Sequence, residues 1–172
     1  MSSDTIKSNE LATGSKLQVI DKNAFNECPI ESICLPASVT QIGKFAFYSC
    51  KNLKRIEFTS DSKLQVIDKG AFVECPIESL SIPASLIELK EGWCDGVSQL
   101  KSIKIDPNNQ RYKYFENKII IGKSTLKYGE GEGRGEEEYD LLIFARRNIE
   151  NVTNPKHIKR ICPYSFNECQ QL

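Results

Sequence analysis

The stretch SKLQVIDKNAFNECPIESICLPAS, Ser15–Ser38, returns as SKLQVIDKGAFVECPIESLSIPAS, Ser62–Ser85. Its first eight residues are unchanged, far outside chance for 172 residues, and the copies lie 47 residues apart. Between them VTQIGKFAFYSCKNLKRIEF, Val39–Phe58, echoes the same pattern at half the spacing, so the long period holds two units. Strand-like apolar segments begin at Ile30, Leu53, Ile77 and Leu100, 23 or 24 residues apart. Self-similarity at such a period marks a stacked architecture, because one unit cannot bury both its faces and neighbouring units together bury a continuous core.

Each unit has three parts. The first is a strand of the form apolar-x-x-apolar-x-apolar: IESICL, LKRIEF, IESLSI and LKSIKI. Its apolar members, such as Ile30, Ile33 and Leu35, point inward. A Pro-Ala-Ser turn follows at Pro36–Ser38 and Pro83–Ser85, where proline has no N–H to offer a ladder. A return segment then ends in Ala-Phe-x-x-Cys (AFNEC, AFYSC, AFVEC), expected as a short turn or helix whose Phe25, Phe47 and Phe72 stack along the core. In the fourth unit Trp93-Cys94 replaces Ala-Phe, and Trp93 is expected to fill the phenylalanine's volume. In SKLQVIDK itself Leu17 and Ile20 read as core, and Gln18, Asp21 and Lys22 as solvated.

The expected fold is therefore a leucine-rich-repeat solenoid. Units of 23–24 residues carry a parallel β-sheet on one face and short turn or helix segments on the other, and one irregular insertion interrupts them. Residues 1–14 read as a polar N-terminal leader, 15–105 as repeat units, 106–148 as the insertion and 149–172 as a final unit. In the insertion DPNN (Asp106–Asn109) is a turn, Lys113–Tyr128 an irregular hairpin around Gly122-Lys123, GEGEGRGEEE (Gly129–Glu138) an acidic glycine-rich loop, and LLIFA (Leu141–Ala145) a strand. From Leu100 to Ile149 is about two unit lengths, so the insertion takes the place of one unit. In the final unit Ile149 matches Ile30, Val152 matches Ile33, Ile161 matches Ile42, Phe166 matches Phe47 and Cys169 matches Cys50, while Asn154 weakens it by replacing the inward Leu35. Gln170-Gln171-Leu172 matches Lys51-Asn52-Leu53, the start of another strand. Two expectations follow: a segment of a longer solenoid, or end-to-end self-association at an open end.

Strand, then Pro-x-x-Val/Leu-x-x-Ile, then Ala-Phe-x-x-Cys resembles the BspA-like leucine-rich repeats, over residues 15–105 and 149–172. The resemblance implies a surface-antigen-like protein with a role in adhesion, binding a host or extracellular-matrix protein, and it carries no catalytic residues. Composition narrows the classes further. With 23 basic and 23 acidic side chains there is no basic excess to hold nucleic acid. No run of about 18 apolar residues is present to cross a membrane, and MSSDTIKSNE has no apolar signal-peptide core. Cell surface is thus the location implied by resemblance, and cytoplasm the alternative.

Candidate chemistry is sparse. Cys28, Cys50, Cys75 and Cys169 share one repeat position and read as small buried residues, with a disulfide or metal ladder as the alternative. Cys34 falls on the outward strand face, where an exposed thiol fits a reducing compartment. Gly122-Lys123-Ser124 is the tail of a phosphate-binding loop, but Asn117 stands where that loop needs glycine. His157 is the single histidine and reads as solvated, and Asn151-Val152-Thr153 is a glycosylation sequon that matters only on an exported chain. No enzyme, cofactor or metal site is expected.

Binding is expected on the outward strand positions. Aligned by unit, Glu31, Lys54, Glu78 and Lys101 form one column, Ser32, Arg55, Ser79 and Ser102 a second, and Cys34, Glu57, Ser81 and Lys104 a third. The first column alternates in sign, which reads as a ladder holding register. The candidate binding face is Glu31, Lys54, Arg55, Glu57, Glu78, Lys101 and Lys104. The expected function is non-catalytic binding of macromolecules, as a surface or adhesion protein or a fragment of one. An intracellular scaffold or assembly module is the alternative.

Overall fold

The computed structural model describes residues 9–10, 14–124, 139–153 and 155–171. Its described residues form six stacked rungs. Rung 1 carries β1 (Asn9–Glu10) and β2 (Val19–Ile20), and rung 2 carries β3 (Ser32–Leu35) and β4 (Gln41–Ile42). Rung 3 carries β5 (Arg55–Phe58) and β6 (Val66–Ile67), and rung 4 carries β7 (Ser79–Ile82) and β8 (Glu88–Leu89). Rung 5 opens on β9 (Ser102–Ile105), leaves the stack as the hairpin β10 (Tyr112–Phe115) and β11 (Ile119–Gly122), and returns as β12 (Leu141–Ala145). Rung 6 holds β13 (Arg160–Ile161).

Two parallel sheets run up the stack, β1-β3-β5-β7-β9 and β2-β4-β6-β8. The first is the expected strand face, and its register pairs Ile33 with Ile56 and Leu80 with Ile103. Ile30, Ile33, Leu35, Leu53, Ile56, Ile77 and Leu80 are buried as expected. Each such side chain contributes about 1.5–3 kcal/mol on burial, most of which chain entropy offsets. Asn9–Glu10 pairs with Ile33–Cys34, so the stretch read as a leader adds an edge strand, while residues 1–8 and 11–13 lie outside the described residues. Cys34 is half-buried rather than exposed.

The second sheet lies in what the sequence shows only as a return segment. It is built from two-residue strands in which one side chain points in: Ile20, Ile42 and Ile67 are buried. Serine hydroxyls from the Pro-Ala-Ser turns tie this side together. Ser38 Oγ lies 2.8 and 2.7 Å from the carbonyl oxygens of Ser15 and Leu17, and Ser85 Oγ lies 2.8 Å from those of Ser62 and Leu64.

The Ala-Phe-x-x-Cys segments are turns, and no helix is present among the described residues. Two left-handed positions four residues apart explain why an α-helix does not form there. The first recurs at Asn23, Phe45, Gly70, Gly92 and Tyr164, the second at Glu27, Ser49, Glu74, Gly96 and Glu168. Between them the phenylalanine amide donates to the next rung: Phe25 to Ala46, Phe47 to Ala71 and Phe72 to Trp93, at 2.7–2.9 Å. The rings stack as expected, Phe25 on Phe47 at 5.0 Å and Phe47 on Phe72 at 5.5 Å. Trp93 continues the column edge-on to Phe72 at 6.4 Å and meets Phe144 at 5.9 Å. The buried cysteines do more than fill space. Cys50 Sγ donates to the Phe25 carbonyl and Cys75 Sγ to the Phe47 carbonyl, each at 2.9 Å.

The stretch read as an insertion carries β10, β11 and β12. β12 pairs antiparallel with β11 on one side and parallel with β13 on the other. The hairpin does not turn at Gly122-Lys123. It turns at Glu116-Asn117, both with positive φ, with Lys118 N donating to Phe115 O at 3.0 Å, and Gly122 ends β11. Tyr112 closes the edge of β8, its phenol oxygen accepting from Leu89 N at 2.8 Å and donating to Ile87 O at 3.2 Å. DPNN is a turn and LLIFA a strand. The acidic glycine-rich loop 129–138 and Asn154 lie outside the described residues. In the last rung Ile149 is buried and Val152 half-buried, but Ile161 is 57% exposed where Ile42 is 0%. Its partner Leu142 flanks it on one side only, whereas Ile42 lies between two paired strands.

Candidate functional site

On β3, β5, β7 and β9 the residues between the core-facing ones face out, and the backbone ladder aligns them from rung to rung. Lys54 N donates to Glu31 O at 2.9 Å, Glu78 N to Lys54 O at 3.0 Å and Lys101 N to Glu78 O at 2.9 Å. The first two outward columns thereby border one shallow groove of about 520 Å³, lined by Glu31, Ser32, Lys54, Arg55, Glu78, Ser79 and Lys101. Five of the seven expected binding residues come together there. Glu57 and Lys104 do not: they lie one column along, opposite Cys34 and Ser81 respectively.

The charges in the groove are only partly neutralised. Lys101 Nζ meets Glu78 Oε2 at 3.3 Å, with side chains 68% and 43% exposed. Arg55 Nε approaches Glu57 Oε1 of its own strand at 3.8 Å. Such exposed pairs contribute little, about 0–1 kcal/mol. The alternating column is thus in register, yet one of its three steps closes as an ion pair. The groove offers amines, a guanidinium, carboxylates and hydroxyls in rows, which suits hydrogen bonding and ion pairing to a second surface.

A tighter polar knot sits at the edge between turn and strand. Glu74 Oε2 accepts from Lys51 Nζ at 2.6 Å and from Ser49 Oγ at 2.8 Å, across adjacent rungs. The Lys51 amine, then the Ser49 hydroxyl, hold the Glu74 carboxyl below its ordinary value, and Glu74 raises the Lys51 amine in return. No motif pointed to it, because its members are far apart in sequence and come from two rungs.

The phosphate-loop tail is engaged otherwise. Ser124 gives its amide and hydroxyl to the Asp140 carboxylate at 2.7 and 2.5 Å. Burial acts to raise that carboxyl, but the Ser124 hydrogen bonds outweigh it and the net shift is downward. Lys123 is buried with its amine 5.0 Å from the Tyr139 ring centre. No disulfide joins the seven cysteines, and burial raises the thiol of Cys94. Among the described residues no cluster of three or more His, Cys, Asp or Glu is placed to hold a metal, and no helix is long and apolar enough to cross a membrane. His157 is exposed, as expected.

Comparison with known proteins gives a consistent picture. The family model described as BspA type leucine-rich repeat region matches residues 18–127 and 140–172, in 6 copies. The pneumococcal vaccine antigen PcpA superposes with a TM-score of 0.78 and 29% identity over 91% of this chain and 36% of its own. A leucine-rich cell surface protein from Faecalibacterium prausnitzii superposes at 0.70 with 20% identity, over 87% of this chain and 36% of its own. A leucine-rich-repeat protein from Eubacterium ventriosum superposes at 0.62 with 19% identity, over 94% of this chain and 45% of its own. The chain thus spans less than half the length of these proteins. No curated protein matches it.

Proposed function

The chain belongs to the BspA-type leucine-rich-repeat family, and from that premise we propose that it is a non-catalytic binding module of a surface or adhesion protein. The observation that carries this is the groove on the first sheet, where Glu31, Lys54, Arg55, Glu78 and Lys101 from four successive rungs face outward around one surface. Proteins of this family are generally not enzymes, which supports the non-catalytic reading. A relative described as a vaccine antigen supports a surface setting. The partner is a protein, with an extracellular-matrix or host protein as the class implied by the family. It engages the groove by many weak polar contacts, so affinity comes from summed complementarity and not from a deep pocket.

The test is a binding assay of the full chain against a panel of extracellular-matrix proteins, repeated with Glu31→Lys and with Lys54→Glu. Binding that both variants weaken supports the groove. Binding that neither changes, or no binding at all, refutes it. Labelling intact cells with a membrane-impermeant amine reagent tests the setting, and an unlabelled protein sinks the surface reading.

One observation favours an intracellular scaffold instead. The Cys50 and Cys75 thiols serve as hydrogen-bond donors between rungs, a role that only reduced cysteine fills. The same labelling experiment separates the two readings.

A further inference from the structure

Glu31, Lys54, Glu78 and Lys101 are four aligned positions of alternating sign. Over the four rungs from β3 to β9 this run is antisymmetric: read backwards, every acid falls where a base stood, and β1, the fifth strand of the sheet, lies outside the overlap. A second copy turned about a two-fold axis parallel to the strands, face to face with the first, therefore sets Glu31 opposite Lys101 and Lys54 opposite Glu78. The other two columns comply. Ser32 meets Ser102 and Arg55 meets Ser79, while Cys34 meets Lys104 and Glu57 meets Ser81. Within these three columns no like-charged residues face each other.

Spacing singles out the same occupant. Rungs recur at about 4.8 Å, whereas same-side residues of an extended peptide recur at about 6.8 Å and helical turns at about 5.4 Å. Over three steps a peptide strand drifts out of register by about 6 Å and a helix by about 2 Å. A solenoid of equal pitch does not drift. The column is also available for such pairing, because within one molecule only Glu78 and Lys101 close as an ion pair, and both remain substantially exposed.

We propose that the outward strand face is a self-complementary interface through which two copies of this chain associate face to face and antiparallel, with Glu31–Lys101 and Lys54–Glu78 as its interchain pairs. This rests on the reading of that face as a binding surface and adds a second copy of the chain as an occupant. The footprint is small: four rungs by about four residues is on the order of 250 Å² per copy, against about 800 Å² in a standard interface. The association is accordingly weak, micromolar to millimolar, and sensitive to salt.

Sedimentation of the full chain tests it, at about 20 mM and about 500 mM salt. Wild type should dimerise at low salt and lose at least about tenfold in affinity at high salt. Lys54→Glu faces two carboxylates with each other at two symmetric points, and Glu78→Lys does the same with two amines. Each variant alone should weaken the dimer by about tenfold or more. An equimolar mixture of the two restores every opposite-charge pair and should dimerise as wild type does. That recovery cannot come from a charge ladder within one chain, and it rules out misfolding as the cause of the single-variant losses. A monomeric wild type at low salt, single variants that still dimerise, or a mixture that stays monomeric each overturns the proposal. A wild type that stays monomeric yet binds a matrix protein through Lys54 sinks the dimer alone and leaves the function proposed above standing.

Discussion

Phe47→Ala removes the ring at the centre of the aromatic column. Phe47 is 0% exposed and lies between Phe25 at 5.0 Å and Phe72 at 5.5 Å. A fully buried Phe→Ala change costs about 3–5 kcal/mol, from lost transfer energy plus the cavity left behind. The stacked rungs make that cavity hard to refill, because its walls are rings held at rung spacing by the amide ladder. Phe25→Ala is the control: it has the same Ala-Phe-x-x context, but Phe25 is only half-buried, so the change should cost about 1–2 kcal/mol. Urea unfolding followed by the fluorescence of Trp93, the only tryptophan, reads both variants. With a slope of about 2–3 kcal/mol/M, Phe47→Ala should lower the midpoint by about 1–2 M and Phe25→Ala by less than about half of that. Equal losses in the two variants, or a Phe47→Ala loss below about 1 kcal/mol, would refute the reasoning that ring burial along the column holds the rungs together.

Three other outcomes follow from the geometry. Gly70 has φ +67° and a Cβ there would collide with the Phe45 ring, so Gly70→Ala should cost about 1–3 kcal/mol and lower the melting midpoint; an unchanged midpoint contradicts the left-handed turn. Glu74 titrates below its ordinary value of 4.5, so its stabilising contribution is whole above that pH and is lost as pH falls through the lower folded value. Glu74→Gln should therefore flatten the acid limb of a stability profile, and an unaltered limb would show that the knot with Lys51 and Ser49 does not form. In the native protein Cys50, Cys75 and Cys94 should resist a thiol reagent, while half-buried Cys28, Cys34, Cys162 and Cys169 react first. Mass spectrometry of the labelled peptides decides this, and Cys94 reacting as fast as Cys169 would overturn the burial.

Much of the fold is legible because stacking turns sequence period into spatial contact. Residues one unit apart become neighbours, so Ile33 pairs with Ile56, and Phe47 with Phe72, from the period alone. Trp93 standing in for a phenylalanine is a volume argument of the same kind. The first rung is not legible in this way. Ile6–Gly14 aligns without a gap on Leu53–Asp61, but the polar Asn9 occupies the position of inward Ile56 and hides the strand. The insertion obeys no period, so its turn at Glu116-Asn117 and the Tyr112 phenol that closes β8 could not be placed by alignment.

The sequence by itself determined the rung length, the inward and outward residues of the strand face, and the alternation of its charges. Each of these depends only on which residue follows which at a fixed period. Tertiary structure alone decided the second sheet, the paired left-handed turn positions and the Glu74 knot. These depend on backbone angles and side-chain reach, which the same residue types can adopt or decline. It also decided that the charge column closes in one place and stays open elsewhere. Ion pairing at a surface turns on a few ångströms of side-chain position, a difference that no order of residues encodes.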